Sequence, residues 1–492
     1  MANNNDSNKP VALKAEFTFG NNTAEKDPLL LTYFYESPEA LALLKHRKLL
    51  AVGRKGSGKS ALRIWLEDQL RREDKVVVLS QAEFESLKMK FLLGEKSEEH
   101  FKLAAKAVWH AGIMMEALRA CDENYIQPND GETIKNDLAL RQIIKDSQAI
   151  STSVVDRFVS FLKSVKKVGI AGLGEIELDE NQRPTKDAFT RLLHISQTPH
   201  VKSFCERHLR RRGMTILVDD VDADWVSTKE NAQFILALIE VLSGLRTNIQ
   251  GLSATLLISD DVYRKVIDGY RHRDKLKDDV LKLRWSADHL KAMVAKRICY
   301  HLDKEMSDQD AWDYVFPGTV ASMPIVQYVV QHTIQRPRDV LDILRLALDH
   351  AKARQPLRLE EMDFVRATQE NASELLDNID AEFSSLYPRF AQVTKELLNE
   401  MQTQLNVVEF KRTIETRLIS FDQTLVDVVD KAWATGGEPE SLLHVFFELG
   451  IVGIGRSREE ARWSFLGHAS DHTQDEVVFM NRAFDDILKT RA

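Results

Sequence analysis

Residues 53–60 read GRKGSGKS, which is a glycine, four residues, and then glycine, lysine and serine. This spacing is typical of a phosphate-binding loop, in which glycines let successive backbone N–H groups turn toward phosphate oxygens. In such a loop the lysine reaches the outer phosphates and the serine hydroxyl binds Mg²⁺. We therefore predict a site for ATP and Mg²⁺ formed by Gly53, Arg54, Lys55, Gly56, Ser57, Gly58, Lys59, Ser60 and Ala61.

The flanking residues support this interpretation over a chance glycine-rich turn. Residues 49–52 form a short apolar run, as expected of a buried strand. After Ser60, apolar residues recur at helical spacing at Leu62, Trp65, Leu66 and Leu70. The loop is thus predicted to join a strand to a helix, whose N-terminus attracts anions.

A second apolar run, at 216–218, is followed directly by Asp219 and Asp220. An acidic residue at the end of such a strand holds the Mg²⁺ shell in P-loop proteins. We therefore assign Mg²⁺ binding to Ser60 and Asp219. Asp220 follows at the position of a base or water-orienting carboxylate, and is a predicted catalytic residue with Lys59. The alternative is that the acidic pair only ends a strand in a turn.

The remaining pattern predicts an α/β fold. One short apolar run begins at Lys75, another ends at Ser259 and a third covers 280–285. Helical patterns lie between these runs. This alternation predicts a parallel sheet with helices on both faces. A strand-helix-strand unit needs only about 30 residues, so the long stretch between the loop and Asp219 predicts a helical insertion at about 85–205. Ser259, at a strand end, is predicted to touch the γ-phosphate or the attacking water.

Composition limits the classes of protein. The chain has 492 residues, 43% of them hydrophobic and 29% charged, which suggests two to four globular domains. Its net charge of −8 argues against a protein that coats nucleic acid. No apolar run is long enough to span a bilayer, and the three cysteines form no metal-binding spacing. We expect a cytoplasmic protein with a disordered tail at 1–15.

The motifs together resemble the AAA+ and STAND-like ATPases. After the loop, the acidic strand end and Ser259, the segment QRPRDVLDILRLAL at 335–348 is similar to the arginine motif that opens a lid helix in that superfamily. The resemblance implies that Arg338, or alternatively Arg336, reaches the nucleotide phosphates. It implies an ATPase core at 16–298 and a helical lid at 299–372. The resemblance also suggests an arginine finger at Arg271 or Arg273. A solvated basic turn is an equally good interpretation of these two residues.

Asp220 departs from the resemblance, because AAA+ hydrolases usually carry glutamate at that position. The departure puts fast turnover in doubt and would suit a slow switch. The segment preceding the loop, FGNNTAEKDPLLLTYFYESPEAL at 19–41, looks like that of a bacterial group of uncharacterised P-loop ATPases often considered anti-phage or stress components. The resemblance also suggests a homo-oligomer.

The C-terminal part, 373–492, reads as helices followed by a hairpin and resembles a winged helix. Winged helices often bind DNA through the helix before the wing. Here that helix carries no lysine or arginine, and acidic residues outnumber basic ones from 381 onward. Contact with a protein is therefore favoured over DNA. Two basic clusters remain as weak DNA candidates: the wing arginines Arg456, Arg458 and Arg462, and the run at 208–212.

The sequence thus predicts an ATP-binding and hydrolysing switch that acts on a protein effector or sensor partner. Its predicted fold is an α/β P-loop core with a helical insertion and lid, followed by a winged-helix-like α+β domain. One alternative is a DNA-dependent ATPase, akin to origin-recognition or transposition ATPases. A second is a nucleotide-sensing scaffold that barely hydrolyses ATP. We expect no membrane partner.

Overall fold

The computed structural model describes residues 10–80, 88, 92, 97–123, 125–148, 154–168, 177, 184–221, 226–268, 270, 273–420, 427, 429, 433 and 437–491. The described chain forms two compact units. The first contains Met1–Ser37, Lys55–Ala61 and Leu283–Ala492, and the second contains Pro38–Arg54 and Leu62–Lys282.

The strands belong to three sheets. They are β1 (Leu50–Gly53), β2 (Lys75–Ser80), β3 (Met214–Asp219), β4 (Leu252–Ser259), β5 (Val280–Lys282), β6 (Thr319–Val320), β7 (Met323–Pro324), β8 (Gln404–Asn406), β9 (Val452–Gly455) and β10 (Val477–Met480).

The α-helices of the described residues are numbered here in chain order. They are α1 (Leu30–Tyr33), α2 (Pro38–His46), α3 (Lys59–Leu70), α4 (Glu98–Asp122), α5 (Gly131–Gln148), α6 (Val154–Val168), α7 (Lys186–Leu192), α8 (Pro199–Leu209), α9 (Lys229–Asn248), α10 (Asp260–Asp268), α11 (Ala287–Leu302), α12 (Asp308–Val315), α13 (Ile325–Gln331), α14 (Pro337–Ala351), α15 (Glu361–Phe383), α16 (Phe390–Leu398), α17 (Val407–Ile419), α18 (Pro439–Leu449) and α19 (Asp485–Leu488).

The second unit is built on a parallel sheet of five strands in the order β2-β3-β4-β1-β5. Every residue of β1 and β3 is buried. Parallel strands that are covered on both faces read as continuous apolar runs rather than alternating ones, which explains the two runs seen in the sequence. The predicted α/β fold with a parallel sheet is confirmed.

Helices α4 to α8 lie between β2 and β3, where the sequence predicted a helical insertion. The α4 helix is buried along most of its length. Its Trp109 is 1% exposed and donates its indole N–H to the carbonyl of Phe234 in α9 at 2.9 Å. The insertion and the sheet therefore share one apolar core.

Because His110 of α4 is buried, we predict that acid lowers the stability of the second unit. Its ring nitrogens lie 2.8 Å from the Leu192 carbonyl and 2.8 Å from the Ser196 hydroxyl. Burial lowers the pKa of His110 to about 4. The unfolded chain therefore binds the proton more tightly, and stability is lost as the pH falls from about 6.5 toward 4. Between pH 7 and pH 5, this single group should lower the free energy of unfolding of the second unit by about 2 kcal/mol.

Urea unfolding at the two pH values checks this expectation. Other titrating groups also contribute, so the comparison is with His110→Gln, which has no proton to gain. We expect the wild type to lose about 2 kcal/mol more stability than the variant over this interval. Equal losses in the two proteins would contradict the prediction.

The first unit contains the helices of the predicted lid. An apolar core is formed by α11 to α14 together with the N-terminal half of α15. Phe19 is fully buried in this core and stacks on Phe316 at 5.7 Å. Leu13 is also buried, and its N–H bonds to the Leu357 carbonyl at 2.8 Å.

These contacts correct three predicted boundaries. The disordered tail cannot extend to residue 15, because Leu13 is part of the core. Residues 16–37 pack with the lid rather than with the ATPase core. The predicted end of the core at 298 falls inside α11, whose buried face belongs to the lid.

A second core of the first unit contains α16 to α19 and an antiparallel sheet in the order β8-β10-β9. The predicted boundary between 372 and 373 falls inside α15, which runs unbroken from Glu361 to Phe383. Its first half packs in the lid core and its second half in the C-terminal core. The winged-helix interpretation of the C-terminal elements remains a prediction.

No helix in the described part of the chain is both long and apolar enough to cross a membrane.

Candidate functional site

The loop leaves β1 at Gly53 and enters α3 at Lys59. Gly56 and Gly58 have φ angles of +80° and +89°. Residues with a side chain rarely adopt this left-handed conformation, so the two glycines are required for the turn. Ser60 and Ala61 lie in the first turn of α3, where N–H groups have no partner within the helix. The strand, loop and helix predicted from the sequence are all present.

Three consecutive carbonyls of the loop accept hydrogen bonds from later residues of the first unit. The Lys55 carbonyl accepts from Arg336 Nη1 at 3.0 Å, and the Ser57 carbonyl accepts from Trp285 Nε1 at 2.9 Å. Between them, the Gly56 carbonyl accepts from the Arg338 backbone N–H at 3.4 Å. An anion is repelled by this carbonyl face, so it would approach the loop from the side of the N–H groups.

The Ser57 hydroxyl offers an independent test of whether a phosphate fits. This oxygen is buried, and no hydrogen-bond partner for it is found in the described part of the chain. Buried hydroxyls are normally hydrogen-bonded, and a phosphate oxygen would supply the partner. The two left-handed glycines, the Ser57 hydroxyl and the N-terminus of α3 all fit a bound nucleoside triphosphate.

Arg336 is committed to interactions within the protein. It is 4% exposed, and its Nε donates to both Asp339 carboxylate oxygens at 3.0 Å. Its Nη1 lies 3.2 Å from Glu382 Oε2. Burial opposes the charged guanidinium, but the adjacent carboxylates of Asp339 and Glu382 outweigh it and raise the pKa of Arg336. Arg336 therefore holds the loop, and the alternative in which it reaches the phosphates is not supported.

Arg338 is placed differently. Its side chain is exposed, while its backbone bonds to the Gly56 carbonyl. A Cβ added at Gly56 would meet the Arg338 Cβ at 3.2 Å. Any residue larger than glycine would therefore crowd Arg338 as well as strain the turn. The predicted contact of Arg338 with nucleotide phosphates remains a prediction.

The other predicted residues lie in the second unit. In the parallel pairing of β1 with β4, Ser259 is opposite Gly53. Ser259 is fully buried, and Arg54 is half-buried. The structure thus brings Ser259 to the first residue of the loop. Whether it touches a γ-phosphate stays a prediction.

Asp219 and Asp220 differ sharply in environment. Asp219 is 3% exposed and lies 3.3 Å from Arg63 Nε, whereas Asp220 is exposed with a φ of +58°. Aspartate tolerates this left-handed conformation better than most residues with side chains. The backbone at this position therefore favours the shorter acid over the glutamate usual in AAA+ hydrolases.

Sequence reasoning missed Arg63, the partner of Asp219. It lies in α3, one turn after Ser60, and its Nη1 also bonds to Glu67 at 2.9 Å. The i, i+3 spacing from Ser60 could have suggested it, since residues three apart share a helix face. It likewise missed Trp285 and Glu382, because nothing in their local sequence connects them with the loop. Asp339 lies in the predicted arginine motif but was given no role there.

Several predictions fall outside the described residues. They include the arginine finger at Arg271. Arg273 lies in a described turn of helix, but its side chain is not described.

The wing arginines are largely used within the C-terminal core. Arg458 donates to the carbonyls of Met480 at 3.0 Å and Thr403 at 3.3 Å. Arg462 forms two bonds to the carboxylate of Glu476, at 2.9 and 3.0 Å. Only Arg456 of the three is exposed. The three wing arginines therefore do not form the exposed basic cluster that the sequence predicted.

Loop and sheet define the class of protein: an α/β protein with a P-loop nucleotide-binding fold. The family model described as the FunZ-associated C-terminal helical domain matches residues 288–380, which run from α11 into α15. A curated relative, the putative transposon gamma-delta 80.3 kDa protein of Escherichia coli K12, is 23% identical over 462 residues. That alignment covers 91% of this chain but only 63% of the relative.

Two solved structures are similar at low identity. The Aeropyrum pernix ORC2 protein, in its ADPNP-ADP complexes, is 12% identical with a TM-score of 0.39, and 94% of this chain and 98% of that chain are covered. A point variant of Thermotoga maritima RuvB is 11% identical with a TM-score of 0.32, with coverage of 93% and 94%. The P-loop fold assignment rests on the loop and the strand order.

Proposed function

We propose that this chain is an ATP-binding and ATP-hydrolysing switch that passes its nucleotide state to a protein partner. The observation that carries the proposal is the set of three consecutive loop carbonyls held by Arg336, Arg338 and Trp285. A loop held only by its own strand and helix would report nothing about the nucleotide. Here any shift of the loop on binding or hydrolysis must also move the three residues bonded to it.

The residues have separate roles in this proposal. Lys59 contacts the outer phosphates, and the Ser60 hydroxyl and Asp219 hold Mg²⁺. The metal would neutralise charge on the phosphates. Asp220 orients the attacking water, and Ser259 lies near the γ-phosphate. Arg338, which lies in the first turn of α14, contacts the phosphates in this proposal.

The signal would leave the site through two helices. Arg338 and Asp339 lie in the first turn of α14, and Glu382 lies in the last turn of α15. Because α15 contributes to both the lid core and the C-terminal core, a shift at the loop can reach α18 and the β9–β10 sheet. We propose the C-terminal elements as the surface for an effector or sensor protein. A role in bacterial anti-phage defence or stress response, and a homo-oligomeric state, are further parts of this proposal, and they rest on resemblance.

Hydrolysis and hydrogen exchange of the full chain test the proposal together. We expect Mg²⁺-dependent ATP hydrolysis. We also expect slower amide exchange with a non-hydrolysable ATP analogue than with ADP, both at 53–62 and in the C-terminal elements at 439–480. Protection confined to the loop would contradict the coupling. Tight ATP binding with negligible hydrolysis would favour the nucleotide-sensing scaffold instead.

One observation favours a DNA-dependent ATPase as a second candidate. Arg210, Arg211 and Arg212 are exposed in the turn after α8, and Arg212 Nε donates to the Glu73 carbonyl at 3.2 Å. Arg212 also bonds to the Arg71 carbonyl. The run therefore lies beside Arg71 and Arg72, whose side chains are 58% and 67% exposed. Clustered arginines bind phosphates of a nucleic-acid backbone.

If this candidate is correct, duplex DNA should stimulate hydrolysis about tenfold, and the double substitution Arg210→Gln with Arg211→Gln should remove the stimulation. Neutralising two phosphate contacts should also make binding less dependent on salt. The control removes two exposed arginines elsewhere, Arg366→Gln with Arg412→Gln. Hydrolysis that is indifferent to DNA would exclude this candidate and leave the protein-directed switch.

A further inference from the structure

We propose that Glu382 is a positioning residue of the phosphate loop. Together with Arg336 it forms a clasp around the Lys55 peptide groups, and through this clasp the C-terminal core sets the affinity of the loop for nucleotide. The inference rests on the proposed function, because it assigns a regulator to the same nucleotide site.

The clasp grips the loop by both backbone groups of one residue. The Lys55 N–H donates to Glu382 Oε1 at 3.0 Å, and the Lys55 carbonyl accepts from Arg336 Nη1 at 3.0 Å. The same Nη1 lies 3.2 Å from Glu382 Oε2, which closes the ring of contacts. Asp339 holds the guanidinium from its other side. The Lys55 side chain itself is exposed, so only its backbone is used.

Because the charged groups of the clasp are buried, the clasp requires good hydrogen-bond geometry. Arg336, Asp339 and Glu382 are each 4% exposed. Charges that are removed from water are tolerated only when they are paired and fully hydrogen-bonded. A small displacement of either helix would leave a buried charge without its partner. The clasp is therefore either made with good geometry or strongly disfavoured, and the loop is held in one conformation while it is made.

Both arms of the clasp are anchored in the C-terminal core. Glu382 is followed by Phe383, and three further buried residues of α15 lie in that core: Leu375, Leu376 and Ile379. On the other arm, Ile334 belongs to the same core. Asn481 Nδ2 also donates to the Thr333 carbonyl, three residues before Arg336, and to the Gly450 carbonyl at 2.9 Å.

Because of these contacts, a movement of the C-terminal core would alter the conformation of the nucleotide site. The clasp holds Lys55 immediately before Gly56, the first left-handed glycine of the turn. If the clasp opens, the turn gains freedom and the N–H groups that bind phosphate are no longer preorganised. A ligand then binds more weakly, because part of its binding free energy is used to order the loop.

The experiment compares Glu382→Ala, Glu382→Gln and the control Glu374→Gln in the full chain. Glu374 is an exposed glutamate of the same helix. Two quantities are measured: hydrogen exchange of the peptide covering 53–60 without nucleotide, and the Kd for ATP. We expect E382A to accelerate exchange at the Lys55 amide and to raise the Kd about tenfold, which is the loss expected for a hydrogen bond to a charged group. The E374Q protein should match the wild type in both.

Glu382→Gln keeps the volume of the side chain and an oxygen that can accept from Lys55, so it should shift both quantities less than E382A. It also preserves a readable result if the alanine variant does not fold. Exchange and Kd that are unchanged in both Glu382 variants would overturn the inference. If the wild type binds no ATP while E382A still accelerates exchange at Lys55, the clasp stands and the proposed function fails.

Discussion

Lys59→Ala should reduce ATP hydrolysis by about 10²–10³-fold, which is the loss typical of removing one preorganised group that stabilises transition-state charge. Lys59 is the first residue of α3 and is half-buried in the loop. Alanine keeps the helix, so the loop conformation set by Gly56 and Gly58 should survive. The loss should therefore arise from the missing ammonium at the outer phosphates. Steady-state phosphate release at saturating ATP measures it.

Lys277→Ala provides the matched control, because this lysine of the second unit has a side chain that is 75% exposed. Its rate should stay within about twofold of the wild type, as expected of a surface substitution. Equal rates for the wild type and Lys59→Ala would mean that GRKGSGKS does not bind the phosphates being transferred. The proposed function would then be wrong.

Asp220→Asn should lower the rate of hydrolysis by about 10²-fold or more while the Kd for ATP stays within about twofold. Asparagine tolerates the φ of +58° as well as aspartate does, so the substitution removes the charge without disturbing the backbone. The carboxylate is needed only when water attacks, whereas binding depends on the loop. Single-turnover hydrolysis and equilibrium ATP binding separate the two effects.

Asp303→Asn is the control for this substitution. Asp303 is an exposed aspartate with a φ of +52° at the end of α11, so it matches Asp220 in residue type and in backbone conformation. Hydrolysis by this variant should equal that of the wild type. If Asp220→Asn hydrolyses ATP normally, the water-orienting residue is a different one, and the assignment of Asp220 fails.

Local patterns in the sequence predicted the loop, its strand and its helix correctly. The glycine spacing specifies φ angles that only glycine adopts readily, and a continuous apolar run such as 216–218 is typical of a strand in a covered parallel sheet. Such constraints act over a few residues, so they can be read without knowing the fold. The parallel sheet and the helices between β2 and β3 followed from the same kind of pattern.

The surroundings of the loop could not be predicted in this way. Trp285, Arg336 and Glu382 reach it from 228, 281 and 327 residues away. Amphipathic spacing shows that a helix has a buried face, but it does not identify the element that the face covers. The boundary at 372–373 was wrong for a related reason, because α15 presents one continuous apolar face to two different cores.

The sequence separation of the clasp has a consequence for synthesis of the protein. Residues 53–60 leave the ribosome early, but Glu382 is added 327 residues after Lys55. At a translation rate of about 5–20 residues per second, the loop spends roughly 15–65 seconds without its second anchor. A nascent chain would therefore expose a loose loop with low affinity for nucleotide. If the clasp sets nucleotide affinity as proposed, full affinity would arise only when the C-terminal core has been made.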